Sequence, residues 1–157
     1  AYDGGNIEFL NRSEDDNVVS LRIKPDPYTE LEEKNHFQYF SFRSTVSGVK
    51  KEGPVNVEYV VDNAGDASYA EAWGESTVFF SSSLNDPDSW RRKVDTQYKE
   101  GKLAWNHEHT GDGSVYFAYF PPFSYARHLD LIERSAKYSN VQSLGQTLDG
   151  REIECVR

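Results

Sequence analysis

From residue 6 to residue 120 the chain is a succession of short strand-like runs, each closed within about ten residues by Gly, Pro, Asn, Asp or Ser. That punctuation leaves no room for a long helix and commits the first three quarters of the chain to β structure. The runs are Asn6 to Leu10, Val18 to Ile23, His36 to Val46, Pro54 to Asp62, Thr77 to Ser82, Lys102 to His109 and Ser114 to Phe120. A polar, proline-bearing loop from Lys24 to Asn35 and a Ser, Asn, Asp and Pro-rich loop from Ser83 to Ser89 interrupt them. The expected architecture is mainly β, an antiparallel sandwich of about eight strands.

Two runs say which faces are buried. In Pro54 to Asp62, Val55, Val57, Tyr59 and Val61 share one face, while Asn56, Glu58 and Asp62 take the other. In Ser114 to Phe120 neither face is polar, which predicts a central strand covered on both sides. The aromatic content of 14% and the absence of Met agree with pleated, half-buried surfaces.

At Pro121-Pro122 the pattern changes, because prolines cannot extend a ladder. Beyond them Tyr125, Leu129, Ile132 and Ala136 recur as one stripe of an amphipathic helix, with Ser124 in the N-cap position. Val141 to Leu148 and Arg151 to Val156 then flank Asp149-Gly150, a turn dipeptide that favours a hairpin. The expected division is a sandwich over residues 1–122, followed by residues 123–157 as one helix and a hairpin that open a second, incomplete domain. The stripe Tyr125, Leu129, Ile132 and Ala136 is its candidate domain interface, and uncovered it would drive self-association.

Charge and cysteine content narrow the partners. With 17 Lys and Arg against 26 Asp and Glu the net charge is -9, which repels phosphate backbones and argues against nucleic acid. No run reaches the length of a membrane span. The chain opens without the basic and apolar regions of a signal peptide, and the single Cys155 suits a reducing compartment, so a cytoplasmic location is expected.

Few residues look chemical. His107-Glu108-His109 places two imidazoles on one strand face, within reach of a shared metal, but offers no third ligand. His109-Thr110-Gly111-Asp112 has a ligand-like spacing that turn chemistry explains better. Trp105 alternates with Leu103 and reads as core, whereas Trp73 and Trp90 lie near loops where they could be exposed as a stacking platform. Arg151 could hold a carboxylate but more simply follows a hairpin turn, and Cys155 reads as a small strand hydrophobe.

Several tracts in order resemble the cytosolic carboxypeptidases of the zinc metallocarboxypeptidase superfamily. They are Asp3-Gly4-Gly5-Asn6-Ile7-Glu8, Phe37-Gln38-Tyr39-Phe40-Ser41-Phe42-Arg43 and Val115-Tyr116-Phe117-Ala118-Tyr119-Phe120-Pro121-Pro122, extended by Ser124-Tyr125 and His128-Leu129. The run from Ser143 to Ile153 is similar to the first strand pair of that superfamily's catalytic domains. The resemblance implies an accessory β-sandwich domain ahead of an α/β carboxypeptidase domain, whose zinc-activated water hydrolyses the C-terminal bond of peptides or proteins. Zinc would belong to that complete enzyme, since its H-x-x-E ligand pair has no counterpart here: His36, His107, His109 and His128 are followed at the third position by Tyr39, Thr110, Asp112 and Leu131. No catalytic or metal-binding residue and no cofactor is therefore expected in this chain. The expected partners are its own catalytic domain and, for the whole enzyme, peptide C-termini. A free-standing β-sandwich binding module without enzymatic activity is the alternative.

Overall fold

A computed structural model describes residues 4–13, 17–28, 30–49 and 53–157. The chain divides into two compact units, Ala1–Pro122 and Phe123–Arg157.

The first unit has two sheets. The five-stranded sheet is ordered β1-β2-β4-β8-β7, with β1 at Glu8–Arg12, β2 at Val18–Arg22, β4 at Val55–Val61, β7 at Gln97–Lys99 and β8 at Lys102–His109. The four-stranded sheet is ordered β3-β9-β5-β6, with β3 at Ser41–Val46, β5 at Phe79–Ser81, β6 at Arg91–Arg92 and β9 at Gly113–Ala118. This is the mainly β, sandwich-like architecture expected from the turn-punctuated runs. One pair departs from the antiparallel expectation, since β2 and β4 run parallel. The chain leaves β2, passes through a short helix α1 (Glu30–Glu33), builds β3 in the opposite sheet and only then returns as β4. A connection of that length is what a parallel neighbour needs.

The alternation in β4 behaves as its sequence dictates: Val57, Tyr59 and Val61 are buried, and Asn56 is exposed. Its partner β8 turns Leu103, Trp105 and His109 inward. Together with Phe40, Phe42 and Phe117 they form an aromatic core in which Trp105 lies nearly parallel to Phe40 and to Tyr59, at ring-centroid distances of 6.0 and 5.7 Å. Strand β9 sits between β3 and β5, central as expected, with Phe117 and Ala118 fully buried and Tyr116 partly so.

Two strands lie outside the runs expected from the sequence. β6 has two residues, too few for a period, and β7 is separated from β8 only by Glu100-Gly101. Both turn residues have positive φ, 53° and 77°, the conformation whose twist suits a two-residue hairpin. That turn is also held from the side. Gly65 donates its N–H to the carbonyl of Gly101 at 2.6 Å, and a Cβ on Gly65 would stand 2.8 Å from the Cα of Gly101. Only glycine permits this approach.

In the second unit, helix α2 runs Tyr125–Ser135, and the Ser124 hydroxyl caps it by accepting from the Arg127 N–H. The hairpin pairs β10 (Val141–Gln146) with β11 (Glu152–Val156). Its turn spans three residues rather than the two that Asp149-Gly150 suggests: Thr147 donates to the carbonyl of Arg151, and the positive φ of 75° falls on Gly150 alone. His128 on α2 meets Glu154 on β11 at 2.9 Å, and the Arg151 guanidinium lies 4.4 Å from the centre of the Tyr125 ring.

Candidate functional site

The inward end of β8 carries the one histidine pair the sequence singles out. His107 and His109 are two residues apart on a strand, so both rings fall on the same face, with centroids 4.8 Å apart. His107 packs edge-on between Phe80 and Phe117, each at 5.2 Å. Burial, then the neighbouring His109 and Lys93, push its pKa down to about 4 against the smaller opposing pull of Asp95. His109 is lowered by burial as well. Both imidazoles are thus neutral at physiological pH, His109 buried and His107 half-buried.

His109 belongs to a polar chain that runs inward. Its Nε2 lies 2.9 Å from the Tyr59 hydroxyl, which lies 2.7 Å from the hydroxyl of Ser44 on β3. The contact ties the two sheets together through a tyrosine that is only 1% exposed. Burial raises the Tyr59 pKa, opposed by the Ser44 hydrogen bond and by the charge of Arg12.

Ser44 and Tyr59 also line an open cleft of about 300 Å³ between the sheets. A β-bulge shapes it. The β1–β2 register slips between Phe9 and Asn11, so Phe9 opposes Leu21 and Arg12 opposes Val19. Without the extra residue Phe9 and Arg12 would point to opposite faces; with it both line the cleft, beside Leu21 and Val19. Nothing in the local sequence announces that bulge.

Trp73 is 1% exposed and donates its Nε1–H to the Ala64 carbonyl, and Trp90 is 7% exposed. Their places near loops left exposure open; Trp73 sits in a 3₁₀ turn and Trp90 directly after one, and both rings are packed inward, which removes the stacking platform. Trp105 is core, as its alternation indicates. Asp112 lies in the turn between β8 and β9. Tyr125, Leu129 and Ile132 lie on α2 and Ala136 is its C-terminal cap; Leu129 is 45% exposed, and no residue of the helix is buried. Cys155 is a half-buried residue of β11.

The donor set does not fit the zinc that the resemblance implies for a complete enzyme. His109 is engaged by Tyr59, His107 is enclosed by phenylalanines, and among the described residues no group of three or more His, Cys, Asp or Glu is placed to hold a metal ion. Among the described residues no helix is long and apolar enough to cross a membrane.

Comparison with known proteins agrees with this geometry. The cytosolic carboxypeptidase N-terminal domain family matches residues 1–120. An uncharacterized protein of Zymomonas mobilis is 35% identical over 99% of this chain, which spans 37% of that relative. Among solved structures, a candidate carboxypeptidase A of Shewanella denitrificans superposes with a TM-score of 0.78 at 33% identity, covering 99% of this chain and 38% of that one. A metallo-carboxypeptidase of Pseudomonas aeruginosa, solved with (2-guanidinoethylmercapto)succinic acid, gives 0.76 at 30% identity with the same coverage. The chain therefore spans well under half of these relatives. A match over most of its length and a shared sandwich place it: the chain belongs to the cytosolic carboxypeptidase N-terminal domain family.

Proposed function

We propose that residues 1–122 are the non-catalytic accessory domain of a zinc metallocarboxypeptidase, and that residues 123–157 begin its catalytic domain. The accessory domain supports the catalytic domain and borders its substrate cleft. The whole enzyme releases C-terminal residues from peptides or proteins, with zinc held outside the residues described here, and works in the cytoplasm. The observation that carries this reading is the pairing of a family match over residues 1–120 with metallo-carboxypeptidase neighbours of which this chain covers 38%. Burial of all three tryptophans weighs against a free-standing module that grips a ligand with exposed aromatics.

The test has two arms. The 157-residue chain, dialysed and assayed against a peptide panel, is expected to release no residue and to retain no zinc; near-stoichiometric zinc would overturn the assignment. The complete product of the same gene is expected to carry an H-x-x-E pair beyond Arg157 and to lose activity on chelation. A gene that ends without such a pair sinks the proposal and favours a binding module.

A further inference from the structure

β3 is an outermost strand of its sheet, paired on one side only, with β9. Two hydrogen bonds fix which way its backbone groups point. The Tyr119 N–H donates to the Phe40 carbonyl from the β9 side, whereas the Asn6 N–H donates to the Ser41 carbonyl from the other, each at 3.0 Å. Backbone groups alternate along an antiparallel strand, so Phe42, Ser44 and Val46 bond to β9, and Arg43 and Thr45 direct their N–H and C=O away from it. Among the described residues those four groups have no partner. Such an edge selects one kind of occupant, an extended peptide, because only another strand offers N–H and C=O at the matching repeat.

The pleat gives the two faces of that edge different chemistry. Phe42 and Ser44 point into the sandwich, beside the open cleft of about 300 Å³ whose walls include Val19, Leu21, Val57 and the 62% exposed Phe9. An apolar side chain on an added strand would cover that surface. Arg43 and Thr45 point outward, Thr45 bonded across the ladder to Ser114 at 2.8 Å. Arg43 is exposed and, with the exposed Lys24, lines an adjoining cleft of about 420 Å³. In a chain of net charge -9 this is a local exception: no Asp or Glu is among the described residues lining either cleft, and neither cation makes an ion pair among the described residues. Charge also decides against a second copy as the occupant. Two β3 edges paired with each other would set Arg43 opposite or diagonal to its own counterpart on one face, a repulsive arrangement. A strand with carboxylates on that face and apolar side chains on the other complements both.

We propose that the free edge of β3 at residues 43–45 is a docking site for an extended acidic peptide, which adds as an antiparallel strand with its apolar residues toward Phe9 and its carboxylates toward Arg43 and Lys24. The site lies wholly within the first unit and does not depend on the carboxypeptidase assignment.

The probe is a capped pentapeptide of alternating valine and glutamate, valine at both ends, titrated into the 157-residue chain and followed by NMR. Saturable shifts of the Arg43 and Thr45 amides are expected, with weaker binding when lysine replaces glutamate or serine replaces valine. Residues directly opposite in an antiparallel pair share a face, so the glutamates are the residues whose N–H groups meet β3. N-methylation of the glutamates should therefore abolish binding, and N-methylation of the central valine should not. Arg43→Glu is expected to weaken the peptide about fivefold, the scale of an exposed ion pair lost and replaced by repulsion. Thr45→Pro removes an N–H that points away from β9, so amide protection in β9 should be retained while binding is lost. The N-methylated peptides test the pairing on the unaltered chain should either variant unfold. Absence of saturable binding, equal binding of the lysine peptide, the same effect from both N-methylated peptides, or dimerisation of the chain through β3 would each overturn the proposal.

Discussion

Strand β4 and helix α2 are both amphipathic in sequence, but the two units treat their apolar faces differently. In the first unit Val57, Tyr59 and Val61 are no more than 3% exposed, because a second sheet brings Phe40, Phe42 and Phe117 over them. In the second unit no residue of α2 is buried, and Leu129, Leu131, Leu144 and Ile153 all remain more than 40% exposed. Periodicity names the face that gains from burial. A second layer is what buries it, and a helix with one hairpin does not provide enough. Stability is therefore expected to reside in the sandwich.

The sharpest way to test that asymmetry is to remove its central ring. Trp105→Ala takes away a residue in contact range of Phe40, Phe42, Tyr59 and Phe117 and is expected to cost about 3 to 5 kcal/mol in urea unfolding. A loss under about 1 kcal/mol would mean that the sandwich core does not govern stability.

Gly65→Ala comes next. The added methyl collides with the Gly101 backbone, and neither glycine can yield without breaking their 2.6 Å hydrogen bond, so about 2 kcal/mol of destabilisation is expected. Unchanged thermal stability would show that the β7–β8 turn moves aside freely.

Acid should act on the same unit. The folded pKa of His107, about 4, lies below the unfolded value near 6.5, so the unfolded state binds more protons between these limits. The associated stability is complete above pH 6.5 and is lost as pH falls toward 4. Discounted for a ring that is only partly buried, the loss is about 1 to 2 kcal/mol. His107→Phe should flatten that part of the stability profile; a variant with the wild-type slope would assign the effect elsewhere.

The smallest effect is predicted for the second unit. Leu129→Ser with Ile132→Ser removes apolar surface that is already exposed or half-exposed, so the unfolding free energy in urea should change by less than about 0.5 kcal/mol. Light scattering should instead report reduced self-association. A monomeric wild type at high concentration, with α2 amides exchanging as slowly as those of β9, would break the comparison.

Much of the strand content was legible because the signal is local. Alternation in β4, the limits of β8, the unbroken apolar run of β9 and the Ser124 cap are each written within one turn or one strand. The β6 and β7 strands were not, since two or three residues carry no period. The strand expected from His36 begins only at Ser41: Phe37 and Phe40 are buried like strand residues but lie outside β3.

The sequence by itself determined which residues of β4 and β8 face inward and where β character gives way to a helix, because side-chain alternation is set by the backbone of a single element. Only the tertiary structure decided that β2 lies parallel to β4, that β3 crosses to the other sheet, and that Trp73 and Trp90 turn into the interior. It alone placed a bulge in β1 that swings Arg12 beside Phe9 and Tyr59. Partner choice and register depend on contacts between residues far apart in the chain, and a pattern with a period of two cannot encode who lies across the sheet.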